Sequence, residues 1–361
     1  MPGLTCTLGC GFVAAMPQIT VSAPSDVESL GARWRALEGE ADVSFFQSWT
    51  WVGCEAARRF ADPVLIEART GGRTVGLALC NRRAGWVGDR LWLGESGDAA
   101  LDSPFVEHNG PVVAAAGIEG PMLRAALARR GRRLVLSGVG ESRAALARAI
   151  RGTVDMSAER PAPYVDFAVL RAAGQDHMAS LSANARQQLR RSLRRYGPVE
   201  VRAADGLAEA LTFLDGLAAL HQATWTARGQ PGAFAVPEFR RFHQALLARA
   251  IPRSEAELLH ITAAGETVGY LYNFLWRGWV LAYQSGFAYP DGDAHRKPGI
   301  TCHHLAIARH LAAGQAGYDF LAGAARYKTS LANRVRHLAW LELGPVWRPA
   351  VLRAALRRLV A

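Results

Sequence analysis

The residues best suited to chemistry lie in the stretch HRKPGITCHH at positions 295–304. Arg296 and Lys297 precede a proline and a glycine that open a segment with helical periodicity. The start of a helix carries about half a positive charge and several unpaired N–H groups, so it attracts phosphate. Proline in the first turn and glycine beside it let these N–H groups approach a ligand closely. The stretch therefore predicts a phosphate-binding helix start, reinforced by two side-chain cations.

Two segments of similar sequence indicate the elements that position this helix. VLIEARTGGRTVGLAL at 64–79 and LLHITAAGETVGYLY at 258–272 share the pattern G-x-T-V-G and place β-branched residues around a glycine turn, as a hairpin requires. In each half, helical segments precede the hairpin, and a strand, a helix and a strand follow it. The repeated order predicts an α/β protein of two similar halves, each a mixed, largely antiparallel sheet flanked by helices.

Composition narrows the class of protein. The chain has 361 residues, of which 50% are hydrophobic, so two domains are expected. Its formal net charge of +11 favours anionic partners such as phosphorylated cofactors, nucleic acid or acidic lipid. The five cysteines are odd in number and mostly far apart, which fits a reducing compartment and no disulfide framework. Cys6 and Cys10 form one C-x3-C pair without a second pair, so the cysteines predict no zinc site.

The two ends of the chain bear on localisation. Residues 1–16 contain no Lys or Arg, so the positive end of a secretory signal is missing, and either Met1 or Met16 fits as the start of translation. No run reaches the roughly 20 apolar residues of a membrane span. We therefore expect a cytoplasmic protein. Residues 346–361 place apolar side chains opposite arginines, as an amphipathic helix does, and docking on the first domain is favoured over peripheral contact with a membrane.

Three motifs of the second half resemble the GNAT acyltransferase superfamily. Arg296, Gly299 and Thr301 form R-x-x-G-x-T between a strand and a helix, which resembles the superfamily's pyrophosphate loop, Q/R-x-x-G-x-G/A. LHQATW at 220–225 and GYDFLAGAARYKTSL at 317–331 resemble the patterns LHxxxW, YDF-L-x-G and YK of the CelD-like, Fem-related tandem branch. The matching order of elements on both sides of the loop strengthens the similarity.

The resemblance covers residues 175–335 and implies two tandem GNAT-like domains; in the first half it includes SPFVEHNGPVV at 103–113. The expected boundaries are 17–170 for a divergent first domain and 171–345 for the acyltransferase domain, with the basic C-terminal helix after it. The turn of the first half that corresponds to the pyrophosphate loop, AAAGIEGPM at 114–122, has no basic residue. We therefore place the cofactor in the second half only and expect the first half to shape the acceptor side.

For the cofactor, the resemblance implies acetyl-CoA or another acyl-CoA as co-substrate, with no metal. The loop positions that it assigns to this ligand are Arg296, Lys297, Gly299, Ile300 and Thr301. It also implies that an amine attacks the thioester directly while a backbone N–H of the splayed strand, WVLAYQSGF at 279–287, holds the thioester oxygen. Gly286 in this strand suits a bulge or a close backbone approach, so it is included in the cofactor site.

Three residues are expected to transfer or orient protons. His221 lies on an apolar helix face, and imidazole has a pKa close to neutrality, which suits a base; the alternative is a buried histidine bonded to a backbone carbonyl. Tyr327 falls where the superfamily often has the tyrosine that protonates the leaving thiolate. Asp319 ends an otherwise apolar strand, where a charge is costly unless it is paired or used. It is expected to orient Lys328 or His221, or to cap a helix.

The acceptor side is expected to involve three further residues: Trp225, Tyr283 and Lys328. The lysine is expected either to bind an acceptor carboxylate or phosphate or to be an ordinary surface lysine. The helix after the loop also contains His303, His304 and His310. The first two point to different helix faces, and no carboxylate shares the spacing to the third, so we predict solvated histidines and no metal site.

Three functions remain open at this point. The leading one is an acyl-CoA-dependent N-acyltransferase that acts on the amine of a polar small molecule or of a carbohydrate or cell-envelope precursor. The second is a Fem-like transferase that uses aminoacyl-tRNA, in which the helix at 184–196, with its five arginines, would meet RNA phosphates. That helix lacks interleaved aromatic residues, so nucleic acid is the less favoured partner. The third is a non-catalytic GNAT-like scaffold in exopolysaccharide biosynthesis.

Overall fold

The computed structural model describes most of the chain in five stretches: residues 16–85, 88–102, 106–150, 153–290 and 292–344. For 153–157 it describes the backbone alone. The helix predicted at 346–361 and the cysteine pair near the N-terminus lie outside the described residues. Within these stretches, no helix combines the length and the apolar character that crossing a bilayer requires.

The first half begins with a strand and alternates helices with strands. Its helices are α1 (Val27–Glu40), α2 (Trp49–Arg58), α3 (Glu119–Ala126) and α4 (Glu141–Ala149). Its strands are β1 (Gln18–Ser22), β2 (Pro63–Thr70), β3 (Arg73–Arg83), β4 (Arg90–Leu93), β5 (Val112–Val113), β6 (Arg133–Gly140) and β7 (Thr153–Asp166).

The second half repeats this order after three short or medium helices. Its helices are α5 (Phe167–Ala172), α6 (His177–Ser180), α7 (Ala183–Tyr196), α8 (Gly206–Ala227), α9 (Pro237–Ala250), α10 (Pro298–Ala312) and α11 (Arg326–Leu331). Its strands are β8 (Val199–Ala203), β9 (Ala256–Ala263), β10 (Glu266–Trp276), β11 (Trp279–Phe287), β12 (Gly317–Asp319) and β13 (Arg334–Gly344).

Both predicted hairpins are confirmed, as β2–β3 and β9–β10. Their turns place two consecutive residues at positive φ, Gly71 and Gly72 in the first and Ala264 and Gly265 in the second. Two central residues with positive φ define the turn whose twist matches that of the flanking strands, which explains the glycine in both copies.

One continuous sheet runs through both halves in the order β1-β2-β3-β4-β6-β13-β7-β12-β11-β10-β9-β8, with β5 paired beside β3. Among the described pairs, only β4–β6 and β11–β12 are parallel, so the predicted α/β class with a mixed, largely antiparallel sheet is confirmed. The last strand, β13, lies between β6 and β7 of the first half, while β7 pairs with β12. The predicted boundary at 170 falls within α5 and stays a prediction.

An aromatic cluster packs helices of both halves together. The ring of Phe45 stacks on Phe274 with centroids 4.1 Å apart, and Trp51 packs edge-on against Phe242 at 5.3 Å. The indole N–H of Trp276 donates to a first-half backbone carbonyl at 2.6 Å. The four buried rings belong to one hydrophobic cluster, against which the half-buried Trp276 packs, so burial of apolar surface stabilises the two halves jointly.

Each half contains one pair of parallel strands that separates along its length. In the first half, β4 and β6 pair only through Trp92, and segment 106–110 fills the space beyond: Asn109 donates from its side chain to the Leu93 carbonyl at 2.8 Å. A side chain at Gly138 would lie 2.3 Å from the backbone oxygen of this segment. The first-half gap is therefore closed by the protein itself.

Helix α3, which precedes β6 in the chain, is also unsuited to binding an anion at its start. Its first turn contains Glu119, whose carboxylate pairs with Arg143 at 3.1 Å. A carboxylate in the first turn of a helix disfavours a bound anion there, because the two negative charges repel each other. Among the described residues, these two features disfavour an anion site at the corresponding place of the first half.

Candidate active site

The gap of the second half lies between β11 and β12 and is open. The two strands pair from Trp279 to Leu281 and then diverge. Against β10, the register of β11 shifts so that Tyr283 is an extra residue, which makes it a β-bulge. The space beyond the bulge is a cavity of about 640 Å³, named the strand-gap cavity; it is lined by residues of β11, α8, α11 and the loop after β12.

Gly286 serves the second of the two roles predicted for it. The bulge lies at Tyr283 and not at Gly286. A Cβ atom added at Gly286 would lie 2.3 Å from the carbonyl oxygen of Leu217 on α8. The glycine therefore allows β11 and α8 to approach closely, and its Cα faces that helix. No contact of Gly286 with a cofactor follows from this placement.

No side chain among the described residues caps the start of α10. Pro298 occupies the first turn, the Lys297 cap position makes no side-chain hydrogen bond, and the first turn contains no acidic residue. Gly299 and Ile300, together with Arg296 and Lys297, line a space of about 600 Å³ named the loop groove. Unpaired N–H groups at an open helix start are the feature that anion binding requires.

Thr301 does not take part in this opening, which corrects the prediction that it contacts the cofactor. Its side chain is fully buried, and its hydroxyl lies 2.8 Å from the Ser192 hydroxyl on α7. Its backbone N–H donates to the Lys297 carbonyl at 3.1 Å. The same serine hydroxyl accepts from the Lys297 N–H at 2.9 Å. Thr301 therefore anchors the loop to α7.

Arg296 is held in the loop by its contacts, but not all of its hydrogen-bond donors have partners among the described residues. Its Nε atom lies 3.7 Å from Asp293 Oδ2, and its guanidinium lies over the ring of Tyr196 at 5.4 Å. The Nε atom is buried without a hydrogen-bond partner among the described residues. Asp293 is shared with Arg195 at 3.1 Å, and the His295 N–H, followed by the charge of Arg195, lowers the pKa of this carboxyl. Asp293 bonds no N–H of α10 itself, so among the described residues no carboxylate occupies the start of this helix.

Tyr327 lies at the junction of three spaces. It lines the strand-gap cavity, the loop groove and a third space of about 700 Å³ against α7, named the α7 groove. Its ring stacks on His303, with centroids 5.3 Å apart and planes 16° from parallel. Burial raises the pKa of Tyr327 to about 12, so its hydroxyl is protonated at neutral pH and can donate.

The histidines of α10 are buried, so the prediction of solvated residues was wrong. His303 Nδ1 lies 2.9 Å from the Tyr318 hydroxyl, and its Nε2 is buried without a partner among the described residues. His304 bonds to His177 of α6 at 2.9 Å, and His310 to Glu257 of β9 at 2.5 Å. The cause is that α10 is covered by the sheet on one side and by α6, α7 and α11 on others. Burial lowers the pKa of His303 to about 3, which keeps its ring neutral.

His221 has both ring nitrogens bonded to backbone atoms. Its Nδ1–H donates to the Ser285 carbonyl at 3.2 Å, and its Nε2 accepts from the Ala233 N–H at 3.4 Å. Burial lowers its pKa, so the ring is neutral. This geometry matches the alternative of a buried histidine bonded to a carbonyl. The residue lines the strand-gap cavity and holds β11 where it leaves β12.

Asp319 pairs with the first half and not with the residues predicted for it. Its Oδ2 accepts from His108 Nε2 at 2.9 Å and lies 3.6 Å from Arg336, while its Oδ1 accepts from the Leu321 N–H at 2.7 Å. Burial raises the pKa of this carboxyl, but His108 and Arg336, together with the N–H bond, outweigh burial and leave the pKa lowered. The prediction that Asp319 orients Lys328 or His221 was therefore wrong.

The three residues predicted for the acceptor side all line the strand-gap cavity, but two of them direct their polar ends elsewhere. Lys328 Nζ donates to the carbonyls of Leu321 and Ala322 at 3.2 and 2.8 Å, and burial lowers its pKa. The hydroxyl of Tyr283 lies 3.3 Å from His243 in the core. Trp225 is 37% exposed and forms an accessible apolar wall. Lys328 is thus neither a surface lysine nor a free anion ligand.

Two residues of this site were missed by sequence reasoning, and both come from the first half. Glu107 lines the strand-gap cavity and accepts from the Ala322 N–H at 2.5 Å, while His108 bonds Asp319. The segment SPFVEHNGPVV contained the signal, because a charged residue and a histidine stand between apolar stretches. In the described part of the chain, no cluster of three or more His, Cys, Asp or Glu side chains is suited to a metal ion.

Comparison with known proteins gives one family and several similar structures. Residues 179–329 match the family described as acetyltransferase (GNAT) domain. FemX is similar at 9% identity over 89% of this chain and 96% of that chain, with a TM-score of 0.55. L-PGS from Bacillus licheniformis is similar at 12% identity over 94% and 98%, with a TM-score of 0.53. Among curated proteins no match was found.

A further similar structure is the C-terminal domain of a putative lysylphosphatidylglycerol synthetase from Agrobacterium fabrum, at 11% identity over 92% of this chain and 95% of that one, with a TM-score of 0.54. The match to the acetyltransferase (GNAT) domain family covers less than half of the chain, and the first half repeats the order of elements of the second within the same sheet. At 9 to 12% identity the solved structures show the fold alone.

Proposed function

We propose that the chain is an acyl-CoA-dependent N-acyltransferase that acts on the amine of a polar small molecule or of a carbohydrate or cell-envelope precursor. The observation that carries this proposal is the uncapped start of α10, which opens into the loop groove beside the strand-gap cavity. The first-half helix in the corresponding place has its own carboxylate, and its gap is filled. In the part of the chain that the structure describes, the second half alone combines an uncapped helix start with an open gap between diverging strands.

The residues of the loop groove fit a diphosphate. The amides of Gly299 and Ile300 would donate to its oxygens, and Arg296 and Lys297 would balance its charge. The buried and unpartnered Nε of Arg296 is a donor that such a ligand would satisfy. From there the thioester arm of the ligand would run toward the bulge at Tyr283, where the extra residue interrupts the ladder and a backbone N–H of β11 would hold the thioester oxygen.

Other residues of the site have supporting roles in the proposal. Tyr327 would donate a proton to the leaving thiolate, because it is protonated at neutral pH and lies between the two spaces that the ligand would connect. His303 would hold the tyrosine ring through their stack. His221 would hold the diverging strand through Ser285. Trp225 would contact the acceptor as an exposed aromatic wall.

The test is calorimetry of acetyl-CoA and of longer acyl-CoAs with the wild type and with Arg296→Glu. We expect micromolar binding, which corresponds to about −8 kcal/mol. The charge reversal should weaken binding at least about tenfold, because it places a carboxylate beside the open helix start. Arg130→Glu is the matched control: it makes the same change of charge on an exposed residue of the first half and should leave the Kd unchanged.

The two other functions give different results in the same experiment. A scaffold with an unused cleft would bind no acyl-CoA at all. A transferase that uses aminoacyl-tRNA would bind tRNA through α7, where Arg191 and Arg195 contact His295 and Asp293 beside the groove. Its affinity for tRNA would then fall steeply as the salt concentration rises. Acyl-CoA would bind weakly or not at all, and Arg296→Glu would not change that result.

A further inference from the structure

Segment 106–110 of the first half contacts both gaps of the sheet. On one side it fills the first-half gap, where Asn109 bonds β4 and β6. On the other side it reaches the second half: His108 donates to Asp319 at 2.9 Å, and Glu107 accepts from the Ala322 N–H at 2.5 Å. The backbone of His108 has a positive φ of 50°, so a tight bend aims these side chains across the boundary. The first half thus delivers a carboxylate to the open cleft of the second.

The carboxylate of Glu107 has one oxygen in use and one available. Oε2 accepts the Ala322 N–H, and among the described residues no donor bonds Oε1. Glu107 lines the strand-gap cavity together with the bulge residue Tyr283 and with Tyr327. A carboxylate oxygen without a protein donor on the wall of a cavity is a ready acceptor for a substrate N–H. The free oxygen, the bulge and the tyrosine therefore share one space.

The surroundings of Glu107 adjust its proton affinity. Burial raises its pKa to about 7, against the opposing effects of the Ala322 N–H and of the nearby cations. A carboxyl group of this kind both accepts and releases a proton near neutral pH. The titratable or charged groups described around it or around its cavity are His108, Asp319, Lys328, Tyr283, Arg228, Arg326, His221, His303, Tyr289 and Tyr327.

Building on the proposed acyl transfer, we propose that Glu107 binds the ammonium group of the acceptor and removes its proton, so that the first half supplies the base of the reaction. The acceptor class that follows is a primary amine that is charged at neutral pH. The first half then has a chemical role although its own cleft is closed.

The proton transfers in this step balance. One proton of the ammonium group goes to Glu107 and from there to solvent. The neutral amine nitrogen then bonds to the thioester carbon, the bond from that carbon to sulfur breaks, and the thiolate takes the proton of the Tyr327 hydroxyl. The second proton of the nitrogen restores the tyrosine. The products are an amide, a free thiol and one proton.

The test compares nucleophiles that differ in their need for a base. Wild type and Glu107→Gln are supplied with acetyl-CoA and with glucosamine, ethanolamine, glycine amide or hydroxylamine. The first three are charged at neutral pH, whereas hydroxylamine is uncharged and needs no proton removed before it attacks. The glutamine amide oxygen can still accept the Ala322 N–H, so the variant removes the base and keeps the contact. Glu200→Gln, an exposed glutamate on β8, is the matched control.

We expect the rate with the three amines to fall at least about tenfold in Glu107→Gln and to lose its rise near neutral pH. The rate with hydroxylamine and the Kd for acetyl-CoA should stay within about threefold. Glu107→Asp keeps a carboxylate, so it should retain the pH-dependent rise at a lower rate even if the glutamine variant folds poorly.

Three results would overturn the inference. An equal loss with every nucleophile and an unchanged pH profile would make Glu107 a structural contact. A wild type that binds acetyl-CoA but acylates only hydroxylamine would remove the charged-amine class. A wild type that binds no acyl-CoA would instead contradict the proposed function on which the inference rests.

Discussion

Replacing Tyr327 by phenylalanine is expected to lower turnover about a hundredfold while the Kd for acetyl-CoA stays within about threefold. The phenyl ring keeps the stack on His303, so the wall of the cavity is retained. What is lost is the hydroxyl, whose raised pKa keeps it protonated and able to donate when the thiolate leaves. Release of free thiol from acetyl-CoA, with glucosamine as acceptor, measures turnover, and calorimetry measures binding.

The matched control for this prediction is Tyr270→Phe. That tyrosine stacks on His260 on the face of β10 that is turned away from α10. Removal of its hydroxyl should leave both turnover and binding unchanged. A variant at Tyr327 with weakened binding and unchanged turnover would make the tyrosine part of the cofactor contact. It would then not be the proton donor.

Replacing Asp319 by alanine is expected to lower the free energy of unfolding by about 3 kcal/mol, because the His108 ring N–H loses its buried acceptor and Arg336 loses its counter-charge. The Leu321 N–H also loses its acceptor. Urea unfolding of both proteins measures the difference. Asp215→Ala is the matched control: its ion pair with Arg240 is half exposed, and its loss should cost about 0–1 kcal/mol.

The pH dependence of this difference has a definite sign. The pKa of Asp319 is lower in the folded protein than in the unfolded chain, so its contribution is fully present above the ordinary carboxyl pKa. It is lost as the pH falls through the folded pKa. The wild type and the alanine variant should therefore converge in stability under acid conditions. A difference that does not change with pH would mean that packing, and not the charge of Asp319, stabilises this contact.

Sequence reasoning succeeded where neighbouring residues decide the structure. The two hairpins follow from glycines in turns that need positive φ, and the open start of α10 follows from a proline and a glycine beside two cations. Both depend on contacts within a few residues, which one sequence displays directly. The resemblance added the expectation of a tandem fold and the choice of Tyr327 as a candidate proton donor.

Sequence reasoning failed where distant parts of the chain meet. His303 and Thr301 are buried because α6, α7 and α11 cover faces of α10 that a helical pattern alone leaves undefined. The partner of Asp319 is His108, which lies more than 200 residues away and is brought close by the position of β7 beside β12. Glu107 was missed for the same reason. A contact between a loop of the first half and the site of the second half leaves no periodic signal in the sequence.

The most direct test of the account is a crystal structure of the protein with CoA bound. The account predicts diphosphate oxygens at hydrogen-bond distance, about 2.7–3.1 Å, from the N–H groups of Gly299 and Ile300, with Arg296 in contact and the thiol arm directed toward Tyr327. A diphosphate bound elsewhere, for example along the arginines of α7 with the α10 start unoccupied, would contradict it.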